Sequence, residues 1–278
     1  MSSVDSRLFF AGRQRWRLVS KVQLATLLLL INIACVPFAQ TDAAVEMIPG
    51  LPPLAQPECV ILLHGLARTA DSMEEMQEAL QEAGYRVVNY DYPSREKPIA
   101  ELAGSVIPAA LAACDEGEPV VSINFVTHSL GGILVRYFIS QQPIDKLGRV
   151  VMLSPPNHGS EVIDKLGDMP GFGWLNGPAG DQLGTEAGSV PNLLGKVDFE
   201  LGIITGDRSI NLILSMLIPG PDDGKVSIER AKIAGMTDFM VVHHSHPFIM
   251  SEPDVIEQTI YFLRYGRFSR SEPGLSRE

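Results

Sequence analysis

The chain has 278 residues, 45% of them apolar and 20% charged, which suits one large folded domain or two small ones and excludes collagen, a coiled coil or a mostly disordered chain. Its 33 acids against 22 bases give a formal charge of −11, so a protein whose main work is holding phosphate backbones is excluded and nucleic acid is not an expected partner. Three cysteines without close CxxC or Cys/His spacing exclude a disulfide-built scaffold and structural zinc.

The bases are unevenly placed. Arg7, Arg13, Arg15, Arg17 and Lys21 all precede the apolar run Leu24–Ile33, and charge followed by hydrophobicity is the order of a targeting segment. The run has the length of a signal-peptide core and is short for a bilayer of ~30 Å. Thr41-Asp42-Ala43 supplies a small-residue cleavage pattern, whereas Ala39 would put Pro37 at the minus-three position. Residues 1–43 are therefore expected to be a signal peptide, with an uncleaved N-terminal membrane anchor as the rival; lipid modification of Cys35 is disfavoured by Asn32. The expected location is outside the cytoplasm, periplasmic or secreted, or at a membrane contacted through this segment. Cleavage after Ala43 would leave 17 bases and 31 acids.

Residues 44–57 hold four prolines and read as an extended lead-in. Val60–Leu63 is a short unbroken apolar run, the pattern of a strand buried on both faces. Residues 72–83 place Met73, Met76, Leu80 and Ala83 on one side and acids on the other, predicting an amphipathic helix stopped by Gly84. The alternation continues with strand 85–90, helix 99–113, strand 120–127, helix 131–140 and strands 149–153, 201–205 and 239–243, closing with helix 254–265. Such strand–helix units predict an α/β fold: a mostly parallel sheet of about six strands with helices on both faces. Two excursions, 155–197 and 206–225, follow strands, where open α/β sheets place their ligand sites. The first holds nine glycines and five prolines; the second carries the apolar patch Ile210–Ile218. The residues after Gly266 read as a frayed tail, 267–278.

Thr127-His128-Ser129-Leu130-Gly131-Gly132 joins an apolar strand to a helix, the context of a nucleophile elbow. A strand turning sharply into a helix strains the turn residue and lifts its side chain clear of the sheet, so small neighbours are needed. Gly131 supplies one; Thr127 stands where glycine is usual. The following helix aims its N-terminal N–H groups at the serine, a corner suited to a tetrahedral oxyanion.

These residues, with Leu62-Leu63-His64-Gly65-Leu66 after the first strand, resemble the α/β-hydrolase superfamily and, within it, small bacterial lipases and esterases, over about residues 58–266. The resemblance implies a minimal α/β-hydrolase domain at 58–266. It also implies an oxyanion hole from the backbone N–H groups of Leu66 and Leu130, with His64 structural. It further implies the chain order serine, acid, histidine. A serine hydroxyl needs a base, and the base needs an acid to hold its tautomer. Of the histidines after Ser129, His158 precedes every candidate acid, His243 reads as core or hydrogen-bonded structure, and His246 matches the family's position for the base. Strand alternation puts His244 and His246 on one face, the arrangement of a metal pair, but no third ligand stands at an evident spacing. For the acid, the resemblance implies Asp223, which with Gly224 and Val226 matches the Asp-Gly-x-Val turn that often carries it in such lipases. Asp207, just after a strand, and Asp222 compete; Asp207 otherwise reads as a turn residue paired with Arg208.

The implied function is hydrolysis of carboxylic esters through an acyl-enzyme on Ser129, Asp223 and His246. An acyltransferase or thioesterase with the same residues, and a non-catalytic binding module, are the rivals. Phe172, Trp174, Leu175, Leu183 and the patch 210–218 would wall the acyl site or pack on the sheet, and Arg68 and Arg95 would contact an anionic head group or brace loops. The expected partner is a small-molecule or lipid ester. With no Walker loop, dinucleotide fingerprint or metal-ligand cluster, no cofactor and no metal are expected. The residues carry no signal for oligomeric state. In the family's sheet Cys59 and Cys114 fall at the edge opposite the active site, either as a disulfide or as two separate thiols.

Overall fold

The computed structural model describes residues 52–167 and 172–270; the expected targeting segment 1–43 lies outside them. Six strands form the sheet: β1 Glu58–Leu63, β2 Arg86–Tyr90, β3 Ser122–His128, β4 Leu147–Leu153, β5 Leu201–Gly206 and β6 Asp238–Val242. All neighbours pair in parallel, in the order β2-β1-β3-β4-β5-β6. Burial follows that order. Strands β1, β3 and β5 are buried almost throughout, while β2 and β6, at the two edges, are only partly covered. Unbroken apolar runs such as Val60–Leu63 are what a strand flanked on both faces requires.

The main helices divide between those faces. On one lie α1 Glu74–Glu82, entered through a 3₁₀ turn at Ala70–Met73, and the closing helix, Pro253–Tyr265; they pack on Val60, Leu62, Val126 and Ile204. On the other lie α2 Ile99–Cys114 and α3 Leu130–Gln141, packed on Ile61, Leu63, Phe125 and Met152. Adjacent positions of β1 thus enter different cores, the period-2 alternation of a strand. Every strand is reached by a crossover, and the chain reverses its direction of travel across the sheet between β1 and β3. Open α/β sheets form a ligand crevice at the carboxyl ends of such strands.

Between β4 and β5 the long excursion contains three short helices, α4 Glu161–Leu166, α5 Phe172–Asp181 and α6 Val190–Leu193. Gly177 breaks α5 with φ 67°, and a Cβ there would stand 1.9 Å from the Arg95 carbonyl oxygen, so the close approach requires glycine. The excursion is tied to α3 by Arg136, which is buried without a carboxylate partner among the described residues. Its guanidinium donates to the Asn157 side chain and to the carbonyls of Asn157, Pro191 and Gly195 at 2.8–3.2 Å, and burial pushes its pKa down to about 10. Four carbonyl-type acceptors replace the water such a charge loses.

Cys59 and Cys114 are joined in a disulfide with Cα atoms 5.9 Å apart, the usual span of such a bond. It staples the start of β1 to the end of α2. The tail departs from expectation: residues 267–270 are anchored rather than frayed. Phe268 is buried against Phe262, its N–H donates to Asp238, and Arg270 pairs with the same carboxylate. An aromatic ring behind the edge strand holds this stretch where its polar neighbours suggested none would. Residues 271–278 lie outside the described set.

Candidate active site

The turn from β3 into α3 holds Ser129 at φ 52° and ψ −116°, a strained conformation costing about 1–3 kcal/mol that persists only where its surroundings impose it. Here they do. The Ser129 N–H donates to the Leu153 carbonyl at 2.9 Å, and a Cβ on Gly131 would meet the Leu63 carbonyl oxygen at 2.6 Å. The first turn of α3 is thereby pressed against the end of β1, and only glycine fits at Gly131. Thr127, where glycine is usual, is fully buried with its hydroxyl unpartnered.

The loop after β6 brings His246 to the serine, Nε2 to Oγ 3.1 Å, and Nδ1 lies 2.8 Å from Asp223 Oδ2. All three residues are buried, Ser129 retaining 8% exposure. The Asp223 loop is cross-tied to the histidine loop, since the His246 N–H donates to the Asp223 carbonyl at 2.9 Å. The other carboxylate oxygen, Oδ1, accepts the N–H groups of Lys225 and Val226 at 3.0 and 2.9 Å. Gly224 makes this possible with φ 100°. Burial pushes the Asp223 carboxyl up, but the facing His246 imidazole and the donated hydrogen bonds outweigh it and hold the pKa below the usual range. The competing acids are spent elsewhere. Asp222 closes its own loop by accepting from Ser215 and Gly224, and Asp207 pairs with His243 at 2.8 Å on the surface.

Two smaller expectations are corrected here. Asp207 pairs with His243 rather than Arg208, and of the two readings of His243 the hydrogen-bonded one holds, its side chain being 77% exposed and 2.8 Å from Asp207. Nor do His244 and His246 share a site. His244 lies 2.8 Å from Asp254 and 3.4 Å from Glu252. Those three residues form the one group among the described residues whose ligand atoms could gather on a metal ion, although Asp254 lies in the first turn of the closing helix, whose dipole opposes a cation. His158 bonds to Asn192 and belongs to the scaffold of the excursion.

On the opposite side of Ser129 lies the turn after β1. A Cβ on Gly65 would stand 3.2 Å from Ser129 Cβ, so the turn that leads into Leu66 packs against the serine, and Leu130, first residue of α3, has an N–H with no acceptor inside the helix. His64 braces this turn. Its Nδ1 donates to the Gly65 carbonyl at 2.9 Å, its Nε2 accepts the Tyr92 N–H at 3.2 Å, and its ring stacks on Tyr92 at 4.1 Å. Burial outweighs these bonds and the nearby Asp91, lowering its pKa and keeping the imidazole neutral. His128, whose role the sequence left unassigned, is buried with Nε2 donating to the His246 carbonyl at 3.0 Å and Nδ1 unpartnered. Burial, then the charges of His246, Arg68 and Lys225, push its pKa well down. It holds the His246 backbone from below without carrying charge.

Most of the apolar patch 210–218 does not pack on the sheet. It carries α7 Leu212–Ser215, and Ile210, Leu212, Ile213 and Met216 face solvent while only Ile218 is buried. Leu183 is part of the core; the side chains of Phe172, Trp174 and Leu175 lie outside the described set.

With this geometry in place, the comparisons with known proteins agree. A family model described as the alpha/beta hydrolase fold matches residues 58–193. Among solved structures, the mature lipase BlEst2 of Bacillus licheniformis superposes with a TM-score of 0.56 at 20% identity, covering 76% of this chain and 94% of its own. The phospholipase PlaB of Legionella pneumophila gives 0.59 at 16% over 76% of this chain, which spans 60% of that protein. The metagenomic carboxyl esterase MGS0156 gives 0.54 at 18%, covering 69% and 65%. No curated protein matches the chain by sequence. At such identities the likeness is one of fold: this chain has the α/β-hydrolase fold and, within it, resembles bacterial lipases and esterases.

Proposed function

We propose that the protein is a carboxylic ester hydrolase that works through an acyl-enzyme. The observation carrying this reading is the buried hydrogen-bonded line Asp223–His246–Ser129, ending on a strained serine at the carboxyl edge of the sheet. Ser129 attacks the ester carbonyl while His246 Nε2 takes its proton; Asp223 holds the Nδ1–H tautomer and stabilises the imidazolium. The developing oxyanion sits between the N–H groups of Leu66 and Leu130. His246 then returns the proton to the leaving alcohol, and water, deprotonated by the same nitrogen, releases the acid. The substrate is a small-molecule or lipid ester, a reading supported by the lipase and esterase neighbours. Export fits the same enzyme. The Cys59–Cys114 disulfide suits an oxidising compartment, and the basic-then-apolar N-terminus is the pattern of an export address. Among the described residues no helix is long and apolar enough to cross a membrane.

The test is hydrolysis of p-nitrophenyl butyrate together with labelling by a fluorophosphonate probe. The wild type should do both and Ser129→Ala neither. Retained turnover in a purified Ser129→Ala preparation would overturn the assignment.

A further inference from the structure

Two cations stand on the loops that carry the reacting groups. Arg68 ends the turn that begins at Gly65; its N–H donates to the Gly65 carbonyl, and its guanidinium Nη2 donates to the carbonyl of Pro247, next to His246, at 2.9 Å. Lys225 lies two residues past Asp223 and lends it a backbone N–H. The Arg68 guanidinium is thus fixed beside the His246 loop, and Lys225 stands on the loop that carries the acid. Neither forms an ion pair among the described residues. Other bases of this chain are also unpaired; what sets these two apart is their place.

The neighbouring acids are already engaged. Asp223 is buried against His246 and two N–H groups, Asp222 accepts from Ser215 and Gly224, and Asp91 accepts from Ala70 and lies by His64. Two like charges on the loops around His246 with no counter-ion among the described residues, in a chain of formal charge −11, leave room for a bound anion to answer them. Lys225 is solvent-accessible, yet desolvation by surrounding protein and repulsion from Arg68 lower its pKa against the pull of Asp223. The fields of both cations also reach the buried His128, which lies against His246 with ring centroids 4.8 Å apart.

We infer that Arg68 and Lys225 form an anion-recognition locus beside Ser129, so that the preferred substrates are esters bearing a negatively charged group, carboxylate or phosphate, within a few bonds of the scissile carbonyl. The inference rests on the ester-hydrolase reading and adds the charge of the substrate to it. Arg68 offers a planar fork to such a group and Lys225 a mobile point charge.

The experiment compares kcat/KM for matched ester pairs. The p-nitrophenyl ester of valeric acid against the p-nitrophenyl monoester of glutaric acid puts the charge on the acyl side. Phenyl acetates with and without a ring carboxylate put it on the leaving group. In at least one pair the anionic-to-neutral ratio should fall roughly tenfold in Arg68→Gln and in Lys225→Gln, and further in Lys225→Glu, where the charge is reversed. High salt should erode the wild-type ratio. Because the readout is a ratio, a general loss of turnover from disturbing the Arg68–Pro247 contact divides out. Ser129-dependent hydrolysis with ratios unchanged in Arg68→Gln and Lys225→Glu would overturn the locus alone; hydrolysis that survives Ser129→Ala would overturn the ester-hydrolase reading and the locus with it.

Discussion

Asp223→Asn is a sharper perturbation than removal of a charge, because the surroundings of the carboxylate dictate how the amide must sit. Oδ1 accepts two backbone N–H groups, from Lys225 and Val226, and Oδ2 faces His246 Nδ1. An asparagine has one acceptor end and one donor end. Placing its NH₂ toward Lys225 and Val226 would set donors against two fixed donors in a fully buried pocket, at a cost of a few kcal/mol. The amide oxygen therefore takes the Oδ1 position and the NH₂ points at His246 Nδ1, which must become an acceptor. The imidazole proton moves to Nε2, the nitrogen 3.1 Å from Ser129 Oγ, and the base can no longer take the serine proton. A wrong tautomer of this kind lowers kcat by about 10⁴, or about 5.4 kcal/mol of transition-state stabilisation. The assay is kcat on p-nitrophenyl butyrate, with thermal unfolding to confirm that the variant is folded. Asp207→Asn, whose carboxylate pairs only with the exposed His243, should stay within about twofold of wild type, since exposed pairs contribute little. A folded Asp223→Asn enzyme keeping more than a tenth of wild-type kcat would refute the reasoning, as would a collapse of activity in Asp207→Asn.

The buried histidines predict a pH dependence of stability. Burial and the neighbouring positive charges depress the folded-state pKa of His128 well below 6.5, so below pH 6.5 the unfolded chain binds a proton that the folded chain refuses. Stability is then full above pH 6.5 and falls by about 1.4 kcal/mol by pH 5.5 from this group. Urea unfolding at pH 7.5 and 5.5 should show a shallower loss in His128→Gln by that amount; parallel losses in the two proteins would contradict it. Breaking the Cys59–Cys114 bond, which closes a loop of 55 residues, should cost about 4 kcal/mol by loop-closure entropy. A Cys59→Ser, Cys114→Ser protein with the same unfolding free energy as the oxidised wild type would show that the link does not constrain the unfolded chain.

Local patterns made much of this molecule legible. The unbroken apolar run at 60–63 required a strand covered on both faces, and it lies inside the sheet. The alternation of strand and helix required crossovers, hence parallel pairing. Small residues around Ser129 marked the elbow because a strained turn pressed on a neighbouring strand leaves room for little else. Edges and ends were harder to read. Residues 267–270 are polar in pattern but held by a single aromatic ring and by Asp238, a partner thirty positions away.

What the sequence by itself determined were features set within a few residues of one another: element types, the serine turn, and the short list of acids and histidines eligible to serve it. Only the tertiary structure decided among them. Asp207, Asp222 and Asp223 are chemically alike and close in the chain, and His243, His244 and His246 sit within four positions. Yet one acid meets one histidine in the core, while His243 takes Asp207, His244 takes Asp254, and Asp222 closes its own loop. Which of them is buried, and which spends its charge on water or a loop, depends on how the loops of Asp223 and His246 meet at the end of β3, where His246 also reaches a serine more than a hundred residues away. Arg68 and Lys225, without an ion pair among the described residues, belong to the same class of fact, since a counter-ion is a neighbour in space and not in the chain.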